Sequence, residues 1–360
     1  MTTQEPPPHT SAARGPSNKL EQRDIHFAYS ESAPALLAEL KSSLLISTYL
    51  TGNLVSVAQR NERIVPSFTT FDRPMGVAVN SSGIAVGTRN QVWFLRSAPD
   101  IAAKLEPHGS YDAGFLARHS HFTGDIRCHD LAWVGKELWI VNTLFSCLCS
   151  LHPSYHFAPR WRPPFVSALA PEDRCHLNGL ATEDGQARYV SAMAETDSAQ
   201  GWRAVKRTGG CLIDIASGET VARGLTMPHS PRLAGGTLYV LHSGLGQLET
   251  VDPATGRRTV VCQFPGYTRG LALAGSYAFV GLSKIRASSE WAGVPIAERP
   301  DHLKCGVWVV DLNSGQIVCT FEFTSGIDEL YDVQLVPGVT FPFLSGPLEE
   351  QPFWTVMPMR

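Results

Sequence analysis

The chain has no apolar run of the roughly 20 residues that a bilayer-spanning helix needs, and its first residues lack the apolar stretch of a secretory signal. Neither membrane insertion nor export is expected, and a cytoplasm is the expected location. No CxxC pair occurs among its eight cysteines. Cys147 and Cys149, one residue apart, share a strand face and do not form a zinc knuckle. Without export, these thiols read as reduced, small hydrophobic side chains. A Gly-rich phosphate loop, a GxSxG elbow and an HExxH pair are all missing, so a P-loop nucleotide site, a common serine hydrolase and a common zinc protease have no support. Charge is sparse, 18% of residues with a net of -3, so neither nucleic acid nor an anionic membrane surface is an expected partner.

What the chain has is tight turns between β-branched strands. Asp214-Ile-Ala-Ser-Gly218, Asp252-Pro-Ala-Thr-Gly256 and Asp311-Leu-Asn-Ser-Gly315 share one form. Asp opens each turn and Gly accepts the positive φ that closes it. Flanking segments such as Val307-Trp-Val-Val310 are β-branched and aromatic. An all-β fold follows.

A short phrase also recurs: Met75-Gly76-Val77-Ala78, His129-Asp130-Leu131-Ala132, Asn178-Gly179-Leu180-Ala181, His229-Ser230-Pro231-Arg232, Arg269-Gly270-Leu271-Ala272 and Tyr331-Asp332-Val333-Gln334. Copies lie roughly 40 to 60 residues apart, the period of a propeller blade. The spacing predicts a six-bladed β-propeller over residues 21–345, after a disordered lead at 1–20 and before a C-terminal tail at 346–360. Blades are expected at Arg73 to Leu105, Cys128 to Pro164, His176 to Gly224, His229 to Phe264, and Arg269 to Phe323 with an insertion at Arg286 to Lys304 that carries Trp291. Tyr331 to Val336 lacks partner strands, and Leu44 to Phe71 lacks an inner strand. Joined, they make a last blade closed by both chain ends, which removes free sheet edges. Glu106 to Arg127 reads as a long loop over the channel mouth, carrying His108, His119 and His121.

Inner strands line the axis of a propeller. His129, Asn178, His229, Arg269 and Tyr331 therefore converge, with His176 and Asp332 alongside. Three imidazoles suit one transition-metal ion, iron, copper or zinc, with a position left open for chemistry. His121 is a candidate fourth ligand. The alternative is that the histidines hydrogen-bond around a water-filled channel. Arg269 has no acidic neighbour in sequence, and a buried guanidinium needs an anion. That anion is either Asp332 or the carboxylate or phosphate of a substrate. Asp332 and Tyr331 are the other candidate catalytic groups, and Asn178 a candidate cofactor contact. Asp130 is expected to brace adjacent strands.

The runs Cys175-His-Leu-Asn-Gly-Leu-Ala181, Met227-Pro-His-Ser-Pro-Arg232, Tyr267-Thr-Arg-Gly-Leu-Ala272 and Cys305-Gly-Val-Trp-Val-Val-Asp311 resemble an uncharacterised bacterial family, a domain of unknown function, from about Ser43 onward. That resemblance brings no reaction with it. More distantly, the Asn-Gly-Leu-Ala phrase is similar to that of gluconolactonase-type six-bladed propellers, where its Asn lies near a catalytic divalent metal. The likeness implies such a role for Asn178 alone. Those propellers bind calcium through oxygen ligands, whereas histidines stand here, so calcium is the less expected metal. The expected function is a metal-dependent oxidation or hydrolysis of an anionic small molecule or peptide. The alternatives are a non-catalytic peptide- or protein-binding propeller and a calcium-dependent lactonase-like hydrolase.

Overall fold

In a computed structural model of the chain, residues 24–285, 293–298, 300–349 and 354–356 are described. Six sheets form a six-bladed β-propeller. Its inner strands are Val77–Asn80, Cys128–Val134, Leu177–Glu183, Pro228–Ala234, Tyr267–Ala274 and Asp332–Pro337, here blades 1 to 6, and each contacts the next around a closed ring. The expected lead at 1–20 and Trp291 lie outside the described residues, as does most of the tail. Among those described, no helix is long and apolar enough to cross a membrane.

Blade 6 joins the two ends of the chain as expected. Asp332–Pro337 pairs antiparallel with Ser42–Thr48, with Leu44 opposite Leu335 and Ile46 opposite Val333. Two further strands reinforce the closure. His26–Tyr29 adds to the outer edge of blade 5, and Pro342–Ser345 adds in parallel to the outer edge of blade 1. The short helix Ala33–Glu39 buries Leu36 and Leu37 in a core shared by blades 5 and 6. The Asp-to-Gly turns form as read: the N–H groups of Gly218, Gly256 and Gly315 reach the carbonyls of Asp214, Asp252 and Asp311 at 2.8–2.9 Å.

One expectation is corrected. Most of Glu106 to Arg127 is not a loop over the channel; only its end, with Asp125 and Arg127, reaches the axis. Its Ala113–Phe122 portion is the outer strand of blade 1, paired with Gln91–Ser97. Blade 1 therefore extends beyond Leu105. His121 lies on that outer strand, its Nε2 3.3 Å from the carbonyl of His156 on blade 2, so it cannot be a fourth axial ligand. The mixed polarity of Ala-Arg-His-Ser-His hid a strand that faces solvent on one side.

The position after each phrase-opening residue alternates around the ring: Gly76, Asp130, Gly179, Ser230, Gly270, Asp332. Each polar side chain binds the backbone of a glycine-bearing neighbour. Asp130 accepts from Leu180 N at 3.0 Å, Ser230 from Gly270 N at 3.1 Å and Asp332 from Val77 N at 2.9 Å. The glycines admit the next blade's backbone: a Cβ at Gly76 would stand 2.9 Å from Asp130 Cα, and one at Gly270 2.6 Å from Val333 N. Gly270 also has φ of +84°. Gly270→Ala is expected to lose about 3 kcal/mol, from overpacking and from a left-handed backbone. A loss under about 1 kcal/mol in urea unfolding would show that the blades are not pressed together there.

Arg232 spans this belt. It donates to Asp130 at 2.9 Å, to Leu180 O at 3.1 Å and to Leu271 O at 3.0 Å, and lies 3.8 Å from Asp332. Burial and the charge of Asp130 push Asp332 above the usual carboxylate range. Asp130 thus braces strands as expected.

Candidate active site at the axial cavity

A cavity of about 390 Å³ opens where the inner strands begin. That is the size of a small-molecule site. His129, His176, His229, Arg269 and Tyr331 all line it, so five of the expected residues are brought together. Asn178 and Asp332 are not. Asn178 is buried and accepts from Ser191 Oγ, and Asp332 sits in the Arg232 belt. A cofactor role for Asn178 and a catalytic role for Asp332 are therefore corrected. Asp332 is spent on holding strands, whereas Asn178 engages only its Oδ1 and its buried Nδ2 meets no partner among the described residues.

His176 reaches the cavity from a different position. It stands two residues before the phrase of its blade, where Arg73, Arg127 and Met227 stand in theirs. All four have left-handed φ, between 51° and 54°. Such a residue costs about 1–2 kcal/mol of strain. In return, blades 1, 2 and 4 present both this residue and the phrase residue, two positions later, to the cavity.

All three imidazoles are held through Nδ1, two of them in the same way. His129 Nδ1 faces Arg127 O at 3.3 Å and Thr143 Oγ1 at 2.8 Å. His229 Nδ1 faces Met227 O at 3.1 Å and Ser243 Oγ at 3.0 Å. In both, the carbonyl comes from two residues earlier and the hydroxyl from fourteen residues later. A carbonyl only accepts, so Nδ1 carries the proton in each. His176 Nδ1 meets both carboxylate oxygens of Asp173, at 2.9 and 3.0 Å, and Asp173 also binds Arg127 at 2.6 Å. No partner among the described residues meets Nε2 of any of the three.

Burial, then the charges of His176, Arg269 and His229, hold His129 well below the ordinary histidine value. Burial, then Arg269 and His176, does the same to His229. Both are neutral at pH 7. Burial pushes the Tyr331 phenol up, so it too stays neutral. The histidine shifts predict an acid limb in stability. A depressed folded value contributes stability above the ordinary 6.5 that is lost as pH falls through the folded value. Urea midpoints should therefore drop below about pH 6.5, and His229→Gln should flatten the drop. An unchanged profile in that variant would remove His229 from the cause.

Arg269 is 9% exposed. Its guanidinium carbon lies 3.4 Å from the Tyr331 ring centre. Among the described residues no carboxylate pairs with it, and Asp332 is taken by Arg232. Arg73, Arg89, Arg127 and Arg203 also line the cavity, against Asp125 and Glu329. Sequence reasoning missed Arg73 and Arg127, although both stand at the same spacing from their phrases as His176.

The donor chemistry suits a transition metal: neutral imidazoles with Nδ1 engaged and Nε2 open. The spacing does not close, however. The rings of His129 and His176 are 4.8 Å apart, yet among the described residues no group of three His, Cys, Asp or Glu side chains is placed to hold one ion.

Among solved structures, the chain is similar to one in a nidogen/laminin complex, at 12% identity and a TM-score of 0.51, over 82% of this chain and 99% of that one. It is also similar to a protein of unknown function from Bacteroides caccae, at 9% identity and a TM-score of 0.50, over 82% and 98%. These likenesses bear on the propeller fold alone. No curated protein matches the sequence significantly. A family model matches residues 31–344, nearly the whole propeller, and the chain accordingly belongs to the family described as Domain of unknown function (DUF4915).

Proposed function

We propose that the axial cavity is the active site of a cytoplasmic enzyme that acts on a small molecule or peptide end bearing a carboxylate or phosphate. The observation that carries this is Arg269, nine-tenths buried, stacked on Tyr331 and without a protein carboxylate among the described residues. A guanidinium in that state is costly unless an anion joins it, and its planar fork suits an oxyanion. Beside it, His129 and His229 are neutral with Nε2 open. A neutral imidazole near a bound anion takes a proton from the group attached to that anion and returns it later.

The test is a panel of small carboxylates and inorganic phosphate at constant ionic strength. A ligand that binds only the folded state raises the unfolding midpoint as its concentration passes Kd. The rise should occur in the wild type and largely vanish in Arg269→Lys, which keeps charge but loses the fork. Equal rises in both would defeat the anchor role.

A second reading is favoured by the three engaged Nδ1 atoms: the imidazoles take up one iron, copper or zinc ion. As the side chains stand they do not converge on one point, so no step is routed through a metal. Metal analysis of protein purified without a His tag tests this. Stoichiometric metal, lost in His129→Ala, His176→Ala and His229→Ala, would establish it.

A further inference from the structure

The axial cavity carries more positive charge than its own carboxylates answer. Five arginines line it against two carboxylates, Asp125 and Glu329. A third carboxylate, Asp173, is spent on Arg127 at 2.6 Å. Among the described residues a surplus of two cations is left. Arg269, Arg73 and Arg89 have no carboxylate partner among the described residues, and they form two poles. Arg269 of blade 5 is buried and stacked on Tyr331. Arg73 of blade 1 is half-buried, lies 5.4 Å from the ring centre of Tyr49 and donates to its hydroxyl at 3.2 Å. Between these two arginines the ring centres of Tyr331 and Tyr49 stand 5.6 Å apart. Arg89 belongs to the Arg73 pole: its backbone N–H reaches the carbonyl of Asp72 at 3.0 Å, and its side chain lines the cavity.

We infer that the ligand carries two anionic groups, carboxylate or phosphate, one held by the Arg269 fork and the other by Arg73 and Arg89 across the Tyr331–Tyr49 pair. The inference rests on the anion-binding reading and adds the second charge. A monoanion would neutralise one pole and leave the other. Like charges in one cavity repel, and a ligand that reaches both poles relieves that cost at each. The tyrosines hold both guanidinium groups in place before a ligand arrives, so less side-chain freedom is lost on binding. His176, Arg203 and His229 line the opposite side, so the span between the two anionic groups meets hydrogen-bonding side chains. A cavity of about 390 Å³ has room for both groups.

The experiment compares dissociation constants of the full-length protein for malonate, succinate and glutarate, each beside its half-amide of equal length, at neutral pH and matched ionic strength. Phosphoglycolate beside glycolate gives a second arm, in which one head is a phosphate. The best dianion should bind at least about tenfold tighter than its half-amide, because a second charge-assisted pair forms. That advantage in either arm supports the two-headed ligand, and the larger one identifies the second head. Arg73→Gln should bring the ratio of the two constants toward one. Should that variant fail to fold, the wild-type ratio decides. A ratio unchanged in a folded Arg73→Gln protein would overturn the placement of the second pole on blade 1. Equal binding of dianion and half-amide at every length, and of phosphoglycolate and glycolate, would overturn the second anionic group and leave the Arg269 site standing. Absence of binding by every compound would overturn both.

Discussion

Arg232→Met is expected to destabilise the protein by about 3–5 kcal/mol, the loss seen when one partner of a buried ionic network is removed. The substitution keeps most of the side-chain volume but leaves Asp130 and Asp332 buried together without their cation, and the carbonyls of Leu180 and Leu271 without their donor. Those four residues belong to blades 2, 6, 3 and 5, so one side chain on blade 4 ties five of the six blades at the axis. The measurement is urea unfolding of the single variant and of a triple variant that adds Asp130→Asn and Asp332→Asn. The amides keep an acceptor for Leu180 N and Val77 N while removing the charge. The triple variant should recover more than half the loss. Simple addition of the three separate losses would mean that the network is not coupled and that Arg232 acts by packing alone.

The propeller was legible because its punctuation is local. An Asp-to-Gly turn specifies a hairpin wherever it occurs, and three copies at outer-strand positions fix the blade period. Complementary fragments at the two chain ends announced the closed ring. Legibility failed where a strand's character depends on what packs beside it. Ala113–Phe122 carries arginine and histidines because one of its faces meets solvent, so its alternation is weak and it read as a loop. Pro342–Ser345 is four residues that become a strand only against Ala113–Phe122. The site shows the same division. Phrase-opening residues His129, His229, Arg269 and Tyr331 converge because every blade repeats one backbone. Position alone did not give side-chain direction at Asn178, whose carboxamide turns to Ser191. Asp332 was read as a candidate partner of Arg269 or a catalytic group in the cavity. It meets neither, because Arg232, three residues into its own phrase, reaches further across the axis. No glycine marks the left-handed residue at Arg73, Arg127, His176 and Met227 in the sequence.

Arg269→Met should abolish oxyanion binding, at least 100-fold in Kd, while making the ligand-free protein more stable. The two effects have one cause. Among the described residues Arg269 is a nearly buried charge without a carboxylate partner, stacked on the Tyr331 face. A cation–π contact contributes about 0.5–2 kcal/mol, less than the several kcal/mol that desolvating an ion costs. Methionine removes that cost, refills most of the volume and relieves the charge that depresses His129 and His229. With ligand present the sign reverses, since truncating one member of a buried, hydrogen-bonded charge pair costs about 2–5 kcal/mol. Such a trade of stability for binding is expected at a functional site. A structural arginine behaves otherwise: its removal lowers stability with or without ligand. Urea midpoints of wild type and Arg269→Met, each with and without saturating oxyanion, therefore separate the two roles. A variant less stable than the wild type in the absence of any anion would mean that Arg269 serves the fold, and the axial cavity would lose the residue on which its assignment rests.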